Sequence, residues 1–295
     1  MKIAGVDIGG TEIKYCIHDT DKPFAPDTVK SALTHADKGG KAVVENMFSL
    51  LDGIGSFDRV GISTTGQINP ETGVVIYMCE NIPDYTGIRL ADEVRARYGV
   101  PVVIENDVNA AILAEVMYGA AMSEDFVIGL AYGTGIGGAI FCGRKLFYGS
   151  GYSAGEFGHI ITHAGGNVCG CGNKGCYEAY ASTGALTRMA SARFGESLNG
   201  REIVARRGDP RYDELISDWT DEVVYGLVSI VHIFNPYKLI LGGGIMENEF
   251  ILSTVSQKLI DSVQPNHKKL AVSAAVLGNA AGLRGAIHLA QILKV

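Results

Sequence analysis

Residues 3–18 read IAGVDIGGTEIKYCIH, which is an apolar segment, a glycine turn and a second apolar segment. This pattern predicts a short strand at residues 3–7 and a second strand at residues 12–18. Two glycines at the end of a strand let backbone N–H groups face an anion, and Thr11 adds a hydroxyl. The alternative is a plain β-hairpin, because a Gly-Gly turn forms without any ligand.

Two charged side chains accompany this turn. Asp7 ends the first strand, where its carboxylate can hold Mg²⁺ through water, and Lys14 adds positive charge nearby. The turn is therefore a candidate site for nucleotide phosphates, made of Asp7, Gly9, Gly10, Thr11 and Lys14.

The same arrangement returns in the second half of the chain. A predicted strand at 125–131 leads into the turn GTGIGG, and an answering strand is predicted at 139–142. The turn lacks the GK[ST] of a Walker loop, and a strand follows it where a Rossmann fingerprint has a helix. Its first residues, Gly133, Thr134 and Gly135, are a second candidate phosphate site that could close on the same triphosphate. The repetition predicts two α/β domains of like design.

A third glycine bend, at residues 242–244, follows a predicted strand at 237–241. Gly243 and Gly244 can let an adenine or a ribose approach the backbone, because glycine has no side chain. A turn that merely initiates a helix is the alternative.

The remaining periodic segments fill out these two domains. Helices are predicted at 41–52, 88–98, 108–119, within 183–234 and at 282–293, and further strands at 59–63 and 100–105. We expect an N-terminal α/β domain at 1–117, completed by a helix at 282–295. A larger α/β domain is expected at 118–281, with an irregular loop at 156–178.

Composition excludes several classes of protein. The net charge is −7 and the pI is near 5.5, which opposes a nucleic-acid surface rich in Lys and Arg. No apolar run of about 18 residues exists, and the nearest candidate, 223–234, contains His232. No basic and apolar leader precedes the first strand. We therefore expect a cytoplasmic protein with neither a membrane nor a nucleic-acid partner.

A carboxylate lies at the end of another predicted strand, in the sequence Glu105-Asn106-Asp107. Open α/β sheets bind ligands at the carboxyl ends of their strands. A kinase that acts on an alcohol needs a base there, so Asp107 is a candidate base and Asn106 can orient the same substrate. The alternative is that Asn106 or Asp107 only caps the following helix.

Three of the six cysteines crowd into eight positions. Cys169, Cys171 and Cys176 follow His159 of the sequence EFGH, and one His with three Cys is typical of a closed structural zinc site. Intervening glycines let the short loop fold around the ion. The other cysteines, Cys16, Cys79 and Cys142, read as core residues.

Two glutamates flank the zinc candidate. Carboxylates accept hydrogen bonds from sugar hydroxyls, so Glu156 and Glu178 are candidate sugar ligands. Zinc on one ring nitrogen of His159 would leave the other nitrogen for the same ligand. Solvation at the surface is the alternative for each glutamate.

The motifs DIGGT, STTG, ENDVNA, GTGIGG, EFGH and CGCGNKGC occur in this order, and with them the chain resembles the ROK (repressor, open reading frame, kinase) family over essentially its whole length. The resemblance implies an actin-like, hexokinase-type α/β fold with two RNase-H-like domains flanking a cleft. It also implies ATP-dependent phosphorylation of a hexose hydroxyl, normally at carbon 6, with Mg²⁺, a structural Zn²⁺ and a homodimer.

The resemblance assigns roles to individual residues. It implies that Asp107 is the base and that Gly9–Thr11 and Gly133–Gly135 hold the ATP phosphates, with Gly243 beside the nucleoside. The zinc ligands implied are His159, Cys169, Cys171 and Cys176. The sugar ligands implied are Gly66, Asn81, Asn106, Asp107, Glu156, His159 and Glu178.

Departures from the family pattern affect which sugar is expected as the substrate. Many members have Ser-x-Pro-Gly where this chain has Ser63-Thr64-Thr65-Gly66, and a Thr variant resembles the N-acetylmannosamine kinases. Glu156 instead favours glucose, N-acetylglucosamine or a β-glucoside. Many members also have a third glycine at Ala139, and several have Lys at Glu12.

Two other functions fit the family. A sugar-responsive repressor would carry a helix-turn-helix before the DIGGT segment, and the six residues before Asp7 leave no room for one. A sugar-binding protein without kinase activity would need neither Asp107 nor two phosphate turns.

Overall fold

The computed structural model describes residues 1–78, 82–122 and 124–294. These residues form two compact units. The first contains residues 1–117, 148–154 and 277–295, and the second contains residues 118–147 and 155–276. Residues 148–154 were expected in the second domain, but they pack with the first because Tyr148 and Tyr152 hydrogen-bond to Glu105 and Glu71 there.

Strands and helices follow one another along the chain in runs of one to four. The strands are β1 (Lys2–Ile8), β2 (Glu12–Asp19), β3 (Lys30–Leu33), β4 (Arg59–Thr64), β5 (Gln67–Asn69), β6 (Val74–Tyr77), β7 (Val102–Asn106), β8 (Phe126–Tyr132), β9 (Ile136–Cys142), β10 (Lys145–Leu146), β11 (Lys238–Gly242) and β12 (Ala271–Ala274). The helices are α1 (Gly40–Asp52), α2 (Leu90–Tyr98), α3 (Asp107–Tyr118), α4 (Glu178–Ala181), α5 (Thr183–Phe194), α6 (Gly200–Ala205), α7 (Pro210–Phe234), α8 (Glu249–Ser262) and α9 (Ala281–Ile292).

The sheet of the first unit has the strand order β3-β2-β1-β4-β7. Strands β1, β2 and β3 pair antiparallel, whereas β1, β4 and β7 run parallel. One face of this sheet packs against α1 and α2, and the other packs against α9. Gly61 lets α9 approach β4, since an added Cβ would lie 2.2 Å from the carbonyl oxygen of Ala286.

The sheet of the second unit repeats this topology, with the order β10-β9-β8-β11-β12. Strands β8, β9 and β10 pair antiparallel, and β8, β11 and β12 run parallel. The hairpin β8–β9 therefore occupies the place that β1–β2 holds in the first sheet. The structure bears out the internal repetition inferred from the two glycine turns.

The predicted helical stretch 183–234 is three helices, α5, α6 and α7. Pro210 begins α7 at a position where a missing N–H costs nothing, and Asn235 ends it in the left-handed region at φ 46°. Trp219 and Val223 lie on the buried face of α7. None of the helices in the described ranges is long and apolar enough to cross a membrane.

Several element bounds differ from those expected. Strand β7 begins at Val102 because Pro101 has no N–H for the ladder, and it continues to Asn106. The short strands β3, β5, β6, β10 and β12 and the helices α4 and α8 were not predicted. Helix α8 nevertheless carries a local start signal, since the side chain of Asn248 accepts hydrogen bonds from the N–H groups of Phe250 and Ile251.

Candidate functional site

In the first unit, the candidate residues lie where parallel strands end. Strands β1, β4 and β7 are neighbours, and their register pairs Asp7 with Ser63 and Thr64 with Asn106. The carboxyl ends of all three strands therefore meet at one edge of the sheet, which is where α/β sheets bind ligands.

Asp7 is held by two partners at this edge. The hydroxyl of Ser63 donates to Asp7 Oδ1 at 2.5 Å, and Lys14 Nζ lies 3.3 Å from Asp7 Oδ2. Asp7 is buried, whereas the Lys14 side chain is partly exposed to water. An added Cβ at Gly282 would lie 3.1 Å from Asp7 Oδ1, so the start of α9 closes over the carboxylate. Lys14 thus neutralises part of the Asp7 charge.

The Gly-Gly turn after Asp7 is a β-hairpin with an exposed tip. The N–H of Gly9 donates to the carbonyl of Glu12 at 2.9 Å, and the hydroxyl of Thr34 donates to the carbonyl of Gly9 at 2.7 Å. Gly10 and Thr11 are exposed, and an added Cβ at Gly10 would meet nothing within 4 Å. The turn is therefore a β-hairpin whose tip is open to a ligand, and whether it binds phosphate stays a prediction.

Asn106 caps α3. Its side-chain oxygen accepts hydrogen bonds from the N–H groups of Val108 and Asn109, both at 3.0 Å. Its amide group donates to the carbonyl of Gly66 at 2.9 Å and to Asp107 Oδ1 at 3.0 Å. Asp107 Oδ1 also accepts from the N–H of Val108 at 2.8 Å. Because Asn106 supplies two capping bonds, the helix does not depend on Asp107 for its cap.

The carboxyl of Asp107 is less acidic than an ordinary aspartate. Burial raises its pKa from 3.8 to about 7, and the negative charge of Asp7 contributes to this rise. The hydrogen bonds from Val108 and Asn106 lower the pKa again, but by less. A carboxylate with a pKa near neutrality is suited to accept a proton.

Glu105 and Tyr148 are two residues of this edge that sequence reasoning missed. Glu105 is 2% exposed, and Tyr148 donates its hydroxyl to Glu105 Oε2 at 2.7 Å. Burial raises the pKa of the Glu105 carboxyl, and the hydrogen bonds it accepts lower that pKa. The segment around Tyr148 has no periodic pattern, so its sequence carries no signal for this contact.

The loop after β4 places Gly66 beside Asn106. Gly66 has φ 97°, and an added Cβ would lie 3.0 Å from the carbonyl oxygen of Tyr77. This position therefore requires glycine for both conformation and space. Thr64, the last residue of β4, exchanges a hydrogen bond with the buried hydroxyl of Tyr85 at 3.0 Å. Asn81, the other candidate sugar ligand near this loop, lies outside the described residues.

In the second unit, the two glycine-rich candidate segments are neighbours. Strands β8 and β11 run parallel, and Gly242 pairs with Ala131 just before the turn at Gly133. Gly243 has φ 95°, and an added Cβ would lie 2.2 Å from the carbonyl oxygen of Tyr132. Gly133 and Thr134 are exposed, as are Gly243 and Gly244.

Glu178 connects the glycine turn to the cysteine loop. Its Oε2 accepts a hydrogen bond from the N–H of Ile136 at 3.2 Å, and its Oε1 lies 3.7 Å from His159 Nδ1. An added Cβ at Gly135 would lie 2.5 Å from Glu178 Oε2, so glycine leaves room there for the carboxylate. Glu156 is exposed, and its Oε2 lies 3.9 Å from His159 Nε2.

The ligand atoms of His159, Cys169, Cys171 and Cys176 all lie within 4.8 Å of one another. The sulfurs of Cys171 and Cys176 are 3.6 Å apart, and Cys169 Sγ is 3.7 Å from His159 Nδ1. Tetrahedral zinc with bonds of about 2.0–2.3 Å places its ligands roughly 3.5–3.8 Å apart. The donor types and these two separations fit zinc, and Nδ1 is the histidine nitrogen nearer to the Cys169 sulfur.

Glycine conformation and a backbone hydrogen bond make the cysteine loop compact. Gly175 has φ 83°, and an added Cβ would lie 1.7 Å from the carbonyl oxygen of His163. Its N–H donates to the carbonyl of Asn167 at 2.8 Å, which brings Cys176 back towards the start of the loop. Cys169 and Cys176 are buried, whereas Cys171 is half-buried.

Comparison with known proteins finds relatives that belong to one family of sugar kinases. The ROK family profile matches residues 3–292. The glucokinase of Thermotoga maritima is 31% identical over 315 residues, covering 100% of this chain and 98% of the relative. The beta-glucoside kinase of Klebsiella pneumoniae is 30% identical over 304 residues, again covering 100% of this chain and 98% of the relative.

One solved structure shares the fold of this chain over almost the whole length of both proteins. It is a ROK family glucokinase from Streptomyces griseus in complex with glucose and AMPPNP. That protein is 31% identical and matches with a TM-score of 0.84, covering 99% of each chain. The expected fold class, an α/β protein of the actin-like ATPase type, is confirmed.

Proposed function

This chain belongs to the ROK family and is an ATP-dependent sugar kinase, and we propose that it phosphorylates the 6-hydroxyl of a hexose or hexose derivative with Asp107 as the base. One observation carries the role of Asp107. Its carboxyl lies at the carboxyl end of β7 beside Asp7, its pKa is raised to about 7, and Asn106 supplies the helix cap in its place.

The reaction needs one proton transfer and one phosphoryl transfer. The sugar hydroxyl oxygen forms a bond to the γ-phosphorus of ATP as the bond from that phosphorus to the bridging oxygen breaks, and ADP leaves. The hydroxyl proton passes to the carboxylate of Asp107. Such general-base assistance contributes about 10²–10⁴-fold to the rate.

The proposed nucleotide ligands are the two glycine turns and the bend after β11. Gly9, Gly10 and Thr11 in the first unit and Gly133, Thr134 and Gly135 in the second contact the phosphates, and Gly243 and Gly244 lie beside the nucleoside. The exposed tips of both turns support this assignment. When bound, Mg²⁺ neutralises charge on the phosphates, and Asp7 would hold it through water, with Lys14 balancing the Asp7 charge.

The proposed sugar ligands are polar groups at defined positions. In the first unit they are Gly66, Asn81, Asn106 and Asp107, and in the second they are Glu156, His159 and Glu178. The hydrogen bond from Asn106 to the Gly66 carbonyl supports the first set. Nε2 of His159 faces Glu156 and is the nitrogen left for a hydroxyl when Nδ1 binds zinc.

The proposed zinc is structural. His159, Cys169, Cys171 and Cys176 would fill all four tetrahedral positions, which leaves no site for a reacting water. Zinc in this loop would fix the ring of His159 and order residues 159–176.

The proposed acceptor is glucose or a β-glucoside, with N-acetylglucosamine and N-acetylmannosamine as the alternatives to test. Glu156 and the names of the relatives support the first pair, and Thr65 supports N-acetylmannosamine. A homodimer and a cytoplasmic location stay predictions, which light scattering and cell fractionation would check.

The test is ADP release from Mg-ATP across this panel of sugars. We expect release only when a sugar is present, with the highest kcat/KM for glucose or a β-glucoside. A sugar-responsive regulator would instead bind duplex DNA and release no ADP. A DNA mobility shift without sugar-dependent ADP release would therefore replace the kinase proposal with the regulator.

A further inference from the structure

A buried hydrogen-bond network lies directly behind the proposed base. Glu105 Oε1 accepts from the N–H of Asn106 at 2.7 Å and from the side-chain amide of Asn109 at 3.0 Å. These two donors stand on either side of Asp107 in the chain. One carboxylate oxygen thus fixes the backbone before Asp107 and the first turn of α3 after it.

The second oxygen of Glu105 is held from a distant part of the sequence. Tyr148 donates its hydroxyl to Glu105 Oε2 at 2.7 Å, across 43 residues of chain. The buried carboxylate therefore has three donors on its two oxygens, which compensates for the cost of removing it from water. Without the Tyr148 hydroxyl, one oxygen of a 2% exposed carboxylate would lose its donor.

Two tyrosine side chains hold the segment that carries Tyr148 to the first unit. The N–H of Ala154 donates to the carbonyl of Tyr148 at 3.0 Å, which closes the segment into a compact loop. Tyr152 adopts φ 58°, which is rare for a residue with a side chain, and its hydroxyl hydrogen-bonds to Glu71. Tyr148 and Tyr152 thus each tie this loop to a carboxylate of the same unit, but only Tyr148 reaches the residues around Asp107.

We infer that Glu105 is a positioning residue for Asp107, and that Tyr148 is a second positioning residue that acts through Glu105. This inference rests on the proposed role of Asp107 as the base. Its physical reason is that a base must be held close to its ideal position, since a displacement of about 1 Å can cost roughly 100-fold in rate. Neither side chain needs to touch the sugar or ATP to have this effect.

The experiment compares two tyrosines of one loop. Tyr148→Phe removes the hydroxyl that faces Glu105, and Tyr152→Phe removes the hydroxyl that faces Glu71 and serves as the matched control. We expect Tyr148→Phe to lower kcat about tenfold while KM for sugar and for ATP stays close to the wild-type value. Tyr152→Phe should keep the wild-type kcat. Glu105→Gln, which preserves the side-chain volume, should lower kcat at least as much as Tyr148→Phe.

A second measurement separates positioning from general loss of structure. Tyr148→Phe is combined with Asp107→Asn, and we expect little further loss of kcat, because the base that Tyr148 positions is already absent. The inference would be overturned if Tyr148→Phe lowered kcat by the same factor in the wild type and in Asp107→Asn. The inference would also be overturned if Tyr148→Phe, assayed below its Tm, had the same kcat as the wild type, whatever the change in Tm.

The outcomes also separate this inference from the proposed function. A wild-type protein without sugar-dependent ADP release would contradict the function itself. The positioning role alone would be contradicted by a different result. In that case the wild type is an active kinase and Asp107→Asn inactivates it, but Tyr148→Phe and Glu105→Gln both keep the wild-type kcat.

Discussion

The side-chain amide of Asn106 donates to Asp107 Oδ1 at 3.0 Å, while the oxygen of the same amide caps α3. Asn106 therefore both ends the strand and fixes the orientation of its neighbour. The sequence left open whether Asn106 or Asp107 was only a cap. In the structure, Asn106 accepts capping bonds from the N–H groups of Val108 and Asn109, and Asp107 shares only the one from Val108.

Asp107→Asn should lower kcat by about 10²–10⁴-fold, or roughly 3–5 kcal/mol of barrier. Asn can hydrogen-bond the attacking hydroxyl but cannot accept its proton. KM for the sugar should change less, since most hydroxyl contacts are assigned to other residues. Steady-state kinetics on the purified variant, with zinc content as a check of folding, measure this. A near-normal kcat would show that the base is elsewhere.

Asn106→Ala should lower the free energy of unfolding by about 1 kcal/mol, because α3 loses its cap. The same change removes the hydrogen bond to the Gly66 carbonyl, so KM for the sugar should rise as well. Urea denaturation and sugar titrations measure the two effects. Equal stability of Asn106→Ala and Asp107→Asn would contradict the assignment of the cap to Asn106.

The rate should depend on pH through Asp107. The base must be ionised, and its pKa is about 7, so kcat/KM should rise with pH up to about pH 7 and level off above it. Below pH 7 the expected fall is about tenfold per pH unit. Initial rates between pH 5 and 9, with the coupling enzymes in excess, test this. A flat profile down to pH 5 would mean that Asp107 is an ordinary, already ionised carboxylate.

The difference in stability between the Asp107→Asn variant and the wild type should also depend on pH. A carboxyl whose pKa is raised on folding stabilises the folded state below the unfolded pKa of 3.8, and this contribution is lost as pH rises through about 7. Asn carries no charge at any pH, so the Tm of the variant relative to wild type should be higher at pH 8 than at pH 4. Thermal unfolding at both pH values measures it, and the opposite order would refute the raised pKa.

Purified protein should hold about one zinc per chain on its Cys₃His set. Cys171→Ser should lose most of this zinc and unfold at lower temperature, because the loop loses a ligand that is not replaced. Cys142→Ser is the matched control. Cys142 was predicted to be a core residue, but it is exposed at the end of β9 in the same unit and is not part of the set. Metal analysis of the three proteins decides it. Full zinc in Cys171→Ser would remove Cys171 from the site.

Local motifs made much of the fold predictable. The hairpin around Gly9 and Gly10 and its repeat around Gly133 depend on glycine and strand patterns that lie within about 15 residues, and both were found in the same position of two equivalent sheets. Strands β3 and β12 have weak local sequence signals and were not predicted. They are strands because they pair with β2 and β11, and such pairing is not visible in the local sequence.

The family, the kinase activity and the residue types of each candidate site were predictable from the amino-acid sequence, because short motifs hold the chemistry of glycine turns, carboxylates and cysteine ligands. How those residues are supported follows from the three-dimensional packing. Tyr148 reaches Glu105 across 43 residues, and Glu178 reaches Gly135 across the same length of chain. Contacts at such separations depend on how the sheets and loops pack in three dimensions, and no local pattern specifies them.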